Sequence, residues 1–250
     1  MSLARKCWRP AACWAAVTLL LLGAAACSAA LPPLPEPSSQ HSSFGGGLAG
    51  GSITDAAWTA IVDRTLNSVL LVQNTACGFT ATGSGFVVSA RQVVTNRHVV
   101  EGARSLSLRT RNGQQIAVTS WKYSATDDLA ILQTASDLPP VLTTTLPAPL
   151  PGDLVVAVGY PLSGPQKATR GRVLQLQDAA EGSSHAQVIR TSSSVLPGNS
   201  GGPLLDTHGR VAGIVFAIDL NNGDTLVLPI STLKSLLSDN SARRGTPCSP

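Results

Sequence analysis

Three short stretches carry side chains able to do nucleophilic chemistry. The first is Leu196-Pro197-Gly198-Asn199-Ser200-Gly201-Gly202-Pro203-Leu204. A serine hydroxyl is a weak nucleophile, so it needs a base for its proton and donors for the oxyanion that forms when it attacks a carbonyl. Gly198, two residues ahead of Ser200, lets the backbone turn so that the N–H groups of residues 198 and 200 point at one spot. Gly201 and Gly202 leave room for a substrate, and the apolar run that follows returns the chain to a strand. Gly and Ser are also common in solvated turns, so the motif gains meaning only with partners.

The second stretch, Val93-Val94-Thr95-Asn96-Arg97-His98-Val99-Val100, holds the one histidine of four in an apolar, strand-like setting, 102 residues ahead of Ser200. A histidine there is either a satisfied structural side chain or the base. The third is Asp127-Asp128-Leu129-Ala130-Ile131-Leu132. A triad needs a carboxylate to fix the imidazole tautomer and stabilise the imidazolium. Adjacent aspartates in an extended segment face opposite ways, so one of the two serves and the other faces solvent.

The elements that must position these groups read as short strands. From Ser68 to about Pro229, apolar runs recur between turn signals such as Arg111-Asn112-Gly113, Pro151-Gly152, Thr207-His208-Gly209 and Asn221-Asn222-Gly223. About a dozen short strands with no helical spacers predict an all-β sandwich or barrel, not βαβ units. The strands divide six and six around the Pro-rich crossover from Leu138 to Pro151, which predicts two small barrels, about 68–134 and 153–229. Trp58, Ile61 and Leu66 at roughly helical spacing, after a cap at Thr54 or Asp55, predict a short leading helix; Ile230 to Leu237 predicts a closing one.

The chain's 250 residues, 43% hydrophobic and 13% charged, suffice for a substantial core. The formal charge of +4 is misleading: removing Arg5, Lys6 and Arg9 from the 18 basic residues leaves 15 against 14 acidic. No basic patch interleaved with aromatics remains, so nucleic acid is not an expected partner. No group of His, Cys and acids stands at ligand spacing, so neither metal nor other cofactor is expected.

Arg5, Lys6 and Arg9 followed by the apolar run Ala11 to Ala26 read as an export signal over residues 1–26. Sixteen residues at ~1.5 Å each reach roughly 24 Å, short of the ~30 Å a membrane helix must span. Ala24-x-Ala26 suits an ordinary signal peptidase, whereas Ala24-Ala25-Ala26-Cys27 resembles a lipobox that would acylate Cys27; either places the mature chain outside the cytoplasm, secreted or anchored as a lipoprotein. Residues 27–53, rich in Pro, Ser and Gly, form a tether, and 238–250 a tail. Past the signal and Cys27, Cys77 and Cys248 remain. In an oxidising compartment two such thiols pair; the alternative is two free cysteines.

The order His, Asp, Ser with these surroundings resembles the chymotrypsin-like serine peptidases. Gly83-Ser84-Gly85-Phe86-Val87-Val88, Thr95-Asn96-Arg97-His98, Asp128-Leu129-Ala130-Ile131-Leu132, Gly159-Tyr160-Pro161 and Gly198-Asn199-Ser200-Gly201-Gly202 are similar to the HtrA/Deg branch and to the protease domain of membrane-anchored acid-resistance peptidases of actinobacteria. The resemblance implies two six-stranded antiparallel barrels over 54–237, a triad of His98, Asp128 and Ser200, and an oxyanion hole from the N–H groups of Gly198 and Ser200. It places Ser194 at the floor of the specificity pocket and Phe216, Ala217 and Ile218 along a wall, which disfavours basic side chains and favours small or medium apolar ones. In the actinobacterial relatives a disulfide joins the two ends of the domain, as Cys77 and Cys248 would here.

Asn199 stands where activated digestive proteases carry an Asp that pairs with a new N-terminal amine, so that switch is not expected. No PDZ-like segment follows Leu237, so regulation of that kind is not carried over. The implied activity is endopeptidase action on protein or peptide substrates. Competing readings are a silent protease-fold binding protein and an esterase using the same triad, the latter disfavoured because Gly198-x-Ser200-x-Gly202 leads into an apolar strand and is not on the strand-to-helix elbow of an esterase nucleophile.

Overall fold

The computed structural model describes residues 53–178, 187–238 and 242–248. The expected signal, most of the tether and Cys27 lie outside these residues. Helix α1 (Asp55–Leu66) starts where the Thr54 hydroxyl accepts the N–H of Ala57, at 3.2 Å, and buries Trp58, Ile61 and Leu66 on one face.

Two antiparallel barrels follow. The first comprises β1 (Val69–Ala76), β2 (Thr80–Ser89), β3 (Gln92–Thr95), β4 (Ala103–Arg109), β5 (Gln115–Tyr123) and β6 (Ala130–Thr134), with helix α2 (Arg97–Val100) between β3 and β4. The order β5-β4-β1-β2-β3-β6 closes through β5–β6 pairing. The second comprises β7 (Leu154–Gly159), β8 (Lys167–Asp178), β9 (Gln187–Thr191), β10 (Pro203–Leu205), β11 (Val211–Ile218) and β12 (Thr225–Pro229), closed in the order β10-β11-β12-β9-β8-β7. Helix α3 (Ile230–Ser238) buries Ile230, Leu233 and Leu236.

The period of two along each strand sorts side chains into three cores. In β1, Leu70 and Val72 fill the first barrel, while Leu71 and Val69 face outward into a shared core. In β7, Val155 and Ala157 fill the second barrel, while Val156 and Val158 face the same shared core. Phe86, Val94, Leu129 and Ile131 from one barrel thus meet Tyr160, Ile214 and Leu228 from the other. Near-continuous apolar runs such as Val155 to Val158 are buried on both faces for this reason.

The last described segment is not a free tail. Strand β13 (Arg243–Arg244) pairs with Tyr123 and Lys122 of β5, the Gly245 N–H donates to the Trp121 carbonyl at 2.9 Å, and the Cys248 N–H donates to the Ala103 carbonyl at 3.0 Å. Cys248 is bonded to Cys77, 171 residues away in sequence, with Cα atoms 6.1 Å apart. Short, charged and glycine-bearing, this strap carries no alternating pattern by which a strand is recognised.

Candidate active site

His98 sits in a one-turn helix, not in the strand-like setting its apolar neighbours suggest. The first N–H groups of a helix have no partner within it, and here the His98 N–H donates to Asp128 Oδ1 at 2.9 Å. Asp128 Oδ2 takes the imidazole Nδ1 at 2.6 Å, so one carboxylate holds both backbone and ring of the same residue. A carboxylate only accepts, which puts the ring proton on Nδ1 and leaves the Nε2 lone pair outward. The His98 side chain keeps 47% of its exposure, whereas Asp128 keeps 18%.

Asp128 lies just ahead of β6, and its carbonyl accepts the Asn96 side-chain amide at 2.8 Å. Asn96 is fully buried at the start of α2, and it fixes the main chain of the residue that fixes His98. Sequence reasoning gave Asn96 no role; its only signal was a fixed place two residues before the histidine. Asp127 turns the other way, accepting the Ser124 and Thr126 hydroxyls at 3.2 and 3.1 Å within its own turn.

Ser200 comes from the second barrel, on the loop between β9 and β10. Its carbonyl accepts the Ser84 N–H of β2 at 2.7 Å. A methyl group on Gly83 would lie 2.6 Å from a methyl of Val99, the residue after His98, and 3.0 Å from the Ser200 carbonyl. The histidine turn and the serine loop therefore flank one glycine. Among the described residues no hydrogen bond joins His98 Nε2 to Ser200 Oγ; such contacts commonly tighten only when substrate is bound.

The loop's backbone explains how donors become free. In a trans peptide the C=O and the next N–H point in opposite directions. The Pro197 carbonyl is held by the Leu162 N–H at 2.7 Å, which turns the Gly198 N–H the other way. The Asn199 carbonyl is held by the Gly202 N–H at 2.9 Å, which turns out the Ser200 N–H. Among the described residues neither of these two N–H groups has an acceptor, whereas the intervening Asn199 N–H closes a turn on the Leu196 carbonyl. Gly198 has φ of +99° and could carry no side chain: a Cβ there would sit 2.4 Å from the Tyr160 carbonyl. Asn199 is buried, and its amide also donates to the Leu196 carbonyl, at 2.9 Å.

Beside Ser200 opens a cavity of about 290 Å³ lined by Val195, Leu196, Pro197, Val215, Ala217, Ile218 and Leu220 together with Asn199 and Ser200. Ala217 and Ile218 are among the expected wall residues. Ser194 is not in the lining: residues 191–195 alternate, with Ser193 and Val195 turned inward and Ser194 outward. Phe216 is also absent from it. It is the extra residue of a bulge between Val215 and Ala217 and packs against the core shared by the barrels. Behind the cavity, Arg190 bonds Asp219 at 2.6 Å and Asp224 at 2.9 Å, tying down both ends of the loop that carries Leu220. The Asn221 N–H first, and then Arg190, holds the Asp219 carboxyl below its ordinary pKa; the hydrogen bonds Arg190 donates to Asp224 and Asp219 raise its own.

The two closed barrels with a His–Asp pair facing a serine loop define a chymotrypsin-like architecture, and residues 83–214 match the trypsin-like peptidase domain. The chain belongs to that family, in its HtrA-like branch. It is 32% identical over 162 residues to the serine protease HhoB of Synechocystis, covering 62% of this chain and 39% of that one. It is 34% identical over 145 residues to a DegP-like periplasmic serine endoprotease of Hahella chejuensis, covering 57% and 31%. The chain thus spans about a third of the length of these relatives. The active form of the Rv3671c protease of Mycobacterium tuberculosis superposes with a TM-score of 0.69 at 27% identity, covering 82% of this chain and 97% of that one.

Proposed function

We propose that this chain is a serine endopeptidase that hydrolyses peptide bonds of exported or envelope proteins through an acyl-enzyme on Ser200. Ser200 Oγ attacks the scissile carbonyl as His98 Nε2 takes its proton. Asp128 stabilises the imidazolium, and the N–H groups of Gly198 and Ser200 receive the oxyanion. His98 then protonates the leaving amine, and water repeats the sequence on the ester. The observation that carries the reading is the pair of acceptor-free N–H groups flanking Asn199, on the Ser200 loop that meets Gly83 across from the turn carrying the Asp128-held histidine. A silent binding protein has no need of such donors.

The aliphatic cavity beside Ser200 supports a preference for small or medium apolar side chains on the acyl side of the cut bond. The export signal, the Cys77–Cys248 pair and the relatives named as periplasmic support a site of action outside the cytoplasm, either free or held by lipid on Cys27. The test is cleavage of unfolded casein and of short p-nitroanilides ending in Val, Leu or Lys. Turnover of the Val and Leu substrates, lost in Ser200→Ala, is expected; hydrolysis of short-chain esters with no peptide cleavage would favour the esterase reading instead.

A further inference from the structure

We propose that Ser84 is a positioning residue for the oxyanion hole, coupling the docking of the two barrels to the Gly198–Asn199 peptide that sets the orientation of the Gly198 and Ser200 donors relative to each other. This rests on the peptidase reading and adds a group to it. Ser84 lies on β2 of the first barrel, is fully buried, and touches the serine loop through both its backbone and its side chain. Its N–H donates to the Ser200 carbonyl at 2.7 Å. Its Oγ donates to the Gly198 carbonyl at 2.7 Å and accepts the Tyr160 N–H at 2.9 Å. Its own carbonyl is fixed by the Thr95 hydroxyl at 2.7 Å.

The consequence lies in the torsions of Gly198. A glycine has no steric preference that would hold φ at +99°, so its orientation must be imposed from both sides. On one side the Leu162 N–H pins the Pro197 carbonyl. On the other the Ser84 hydroxyl pins the Gly198 carbonyl. With both peptides held, the torsions of Gly198 are set and the Gly198 and Ser200 N–H groups keep their mutual orientation; with the second pin gone, the bonds from the Asn199 N–H and side-chain amide to the Leu196 carbonyl are left to resist rotation of the Gly198–Asn199 peptide. The hydroxyl cannot turn elsewhere, because the Tyr160 N–H occupies its lone pair and directs its proton to Gly198. Tyr160 follows β7 of the second barrel, so the relay Tyr160 N–H to Ser84 Oγ–H to Gly198 carbonyl forms only when the barrels are seated together.

The sequence marks Ser84 only as the middle of a Gly-Ser-Gly run. Both neighbours are small for a packing reason: a Cβ at Gly83 or Gly85 would meet valine methyl groups at 2.6 and 2.7 Å. The serine between them has a partner for its N–H, its carbonyl and its hydroxyl.

The test is Ser84→Ala, with Ser84→Cys as the conservative variant and Ile116→Val, in the core of the first barrel, as a remote destabilised control. Removing an oxyanion donor outright costs about 10²–10³ in kcat; misdirecting one donor of two predicts a fall of roughly 10- to 100-fold in kcat for Ser84→Ala, with KM within threefold. Affinity for a peptide aldehyde, whose adduct carries the oxyanion, should fall by the same factor, and Ser84→Cys should recover part of both. Crystals of Ser84→Ala should show the Gly198–Asn199 peptide rotated, an arm that needs no turnover and decides the proposal even if the wild type proved inactive. Kinetics within twofold of wild type, a loss matched by Ile116→Val at equal thermal stability, or an unmoved peptide would overturn it.

Discussion

Replacing Asp128 by Asn tests the triad at the contact best defined in the structure. The carboxylate accepts two donors from one residue, the His98 N–H at 2.9 Å and Nδ1–H at 2.6 Å. An amide has one oxygen and one NH2 to offer them. If the oxygen serves the backbone N–H, the NH2 faces Nδ1, the ring proton moves to Nε2, and His98 can no longer take a proton from Ser200. If the amide flips, NH2 faces the backbone N–H, and two donors collide. Leaving such a donor unsatisfied costs about 1–3 kcal/mol, so the working tautomer is suppressed by roughly 5- to 150-fold before any charge effect. Loss of the negative charge beside the imidazolium adds to this, and in the trypsin-type triad the corresponding change lowers kcat by about 10⁴, or ~5.5 kcal/mol. Asp128→Asn should therefore lower kcat by about 10³–10⁴, with KM within threefold and an unchanged circular dichroism spectrum. Asp127→Asn should stay within tenfold of wild type, because Asp127 closes its own turn. Steady-state kinetics on one peptide p-nitroanilide decide it: an Asp128→Asn enzyme within tenfold of wild type, or an Asp127→Asn enzyme equally damaged, would refute the assignment.

Gly201→Ala would place a methyl 2.2 Å from the Ser84 carbonyl and 2.3 Å from the Thr95 hydroxyl at φ of +85°, so it should cost about 2–4 kcal/mol in urea unfolding and abolish turnover. Reducing Cys77–Cys248 opens a loop of 171 residues, worth about 5 kcal/mol by chain entropy, and should lower Tm by ~10 °C or more in a scan with and without reductant. Asp219, held below its ordinary value of 3.8, contributes stability that is present above that pH and lost as pH falls through its lowered folded-state value; melting curves of Asp219→Asn should lack this acid-side loss. Ala217→Phe should narrow the cavity beside Ser200 and lower kcat/KM for Leu substrates at least tenfold while sparing Ala ones, measured on a p-nitroanilide series.

Much of this architecture is written in local pattern. The strands from β1 to β12 carry apolar residues in short runs, as in β1 and β7, or in alternation, as in β4, and the Pro-rich Leu138 to Pro151 stretch lies between the two barrels. The pairing of His98 with Asp128 could be reached from motif order, yet the choice between Asp127 and Asp128 came from resemblance, since alternation says only that the two diverge. The parts that sequence did not yield are those set by long-range contact. The strap from Arg243 to Cys248 has no strand pattern, being held by backbone bonds and a disulfide rather than by an apolar face. Phe216 reads as a pocket wall until the bulge in β11 turns it into the shared core, and a one-residue irregularity leaves no trace in composition. Asn96 and Ser84 act through hydrogen bonds to main-chain carbonyls 32 and 114 residues away, which no local spacing reveals.

Mapping the site of a fluorophosphonate adduct most directly tests whether Ser200 is a nucleophile made reactive by His98. Peptide mass mapping of the labelled native protein should find one adduct, on Ser200, absent from Ser200→Ala and formed at least 10³-fold more slowly in His98→Ala. An unlabelled Ser200 in a folded protein that still cleaves peptides, or labelling indifferent to His98, would contradict the account.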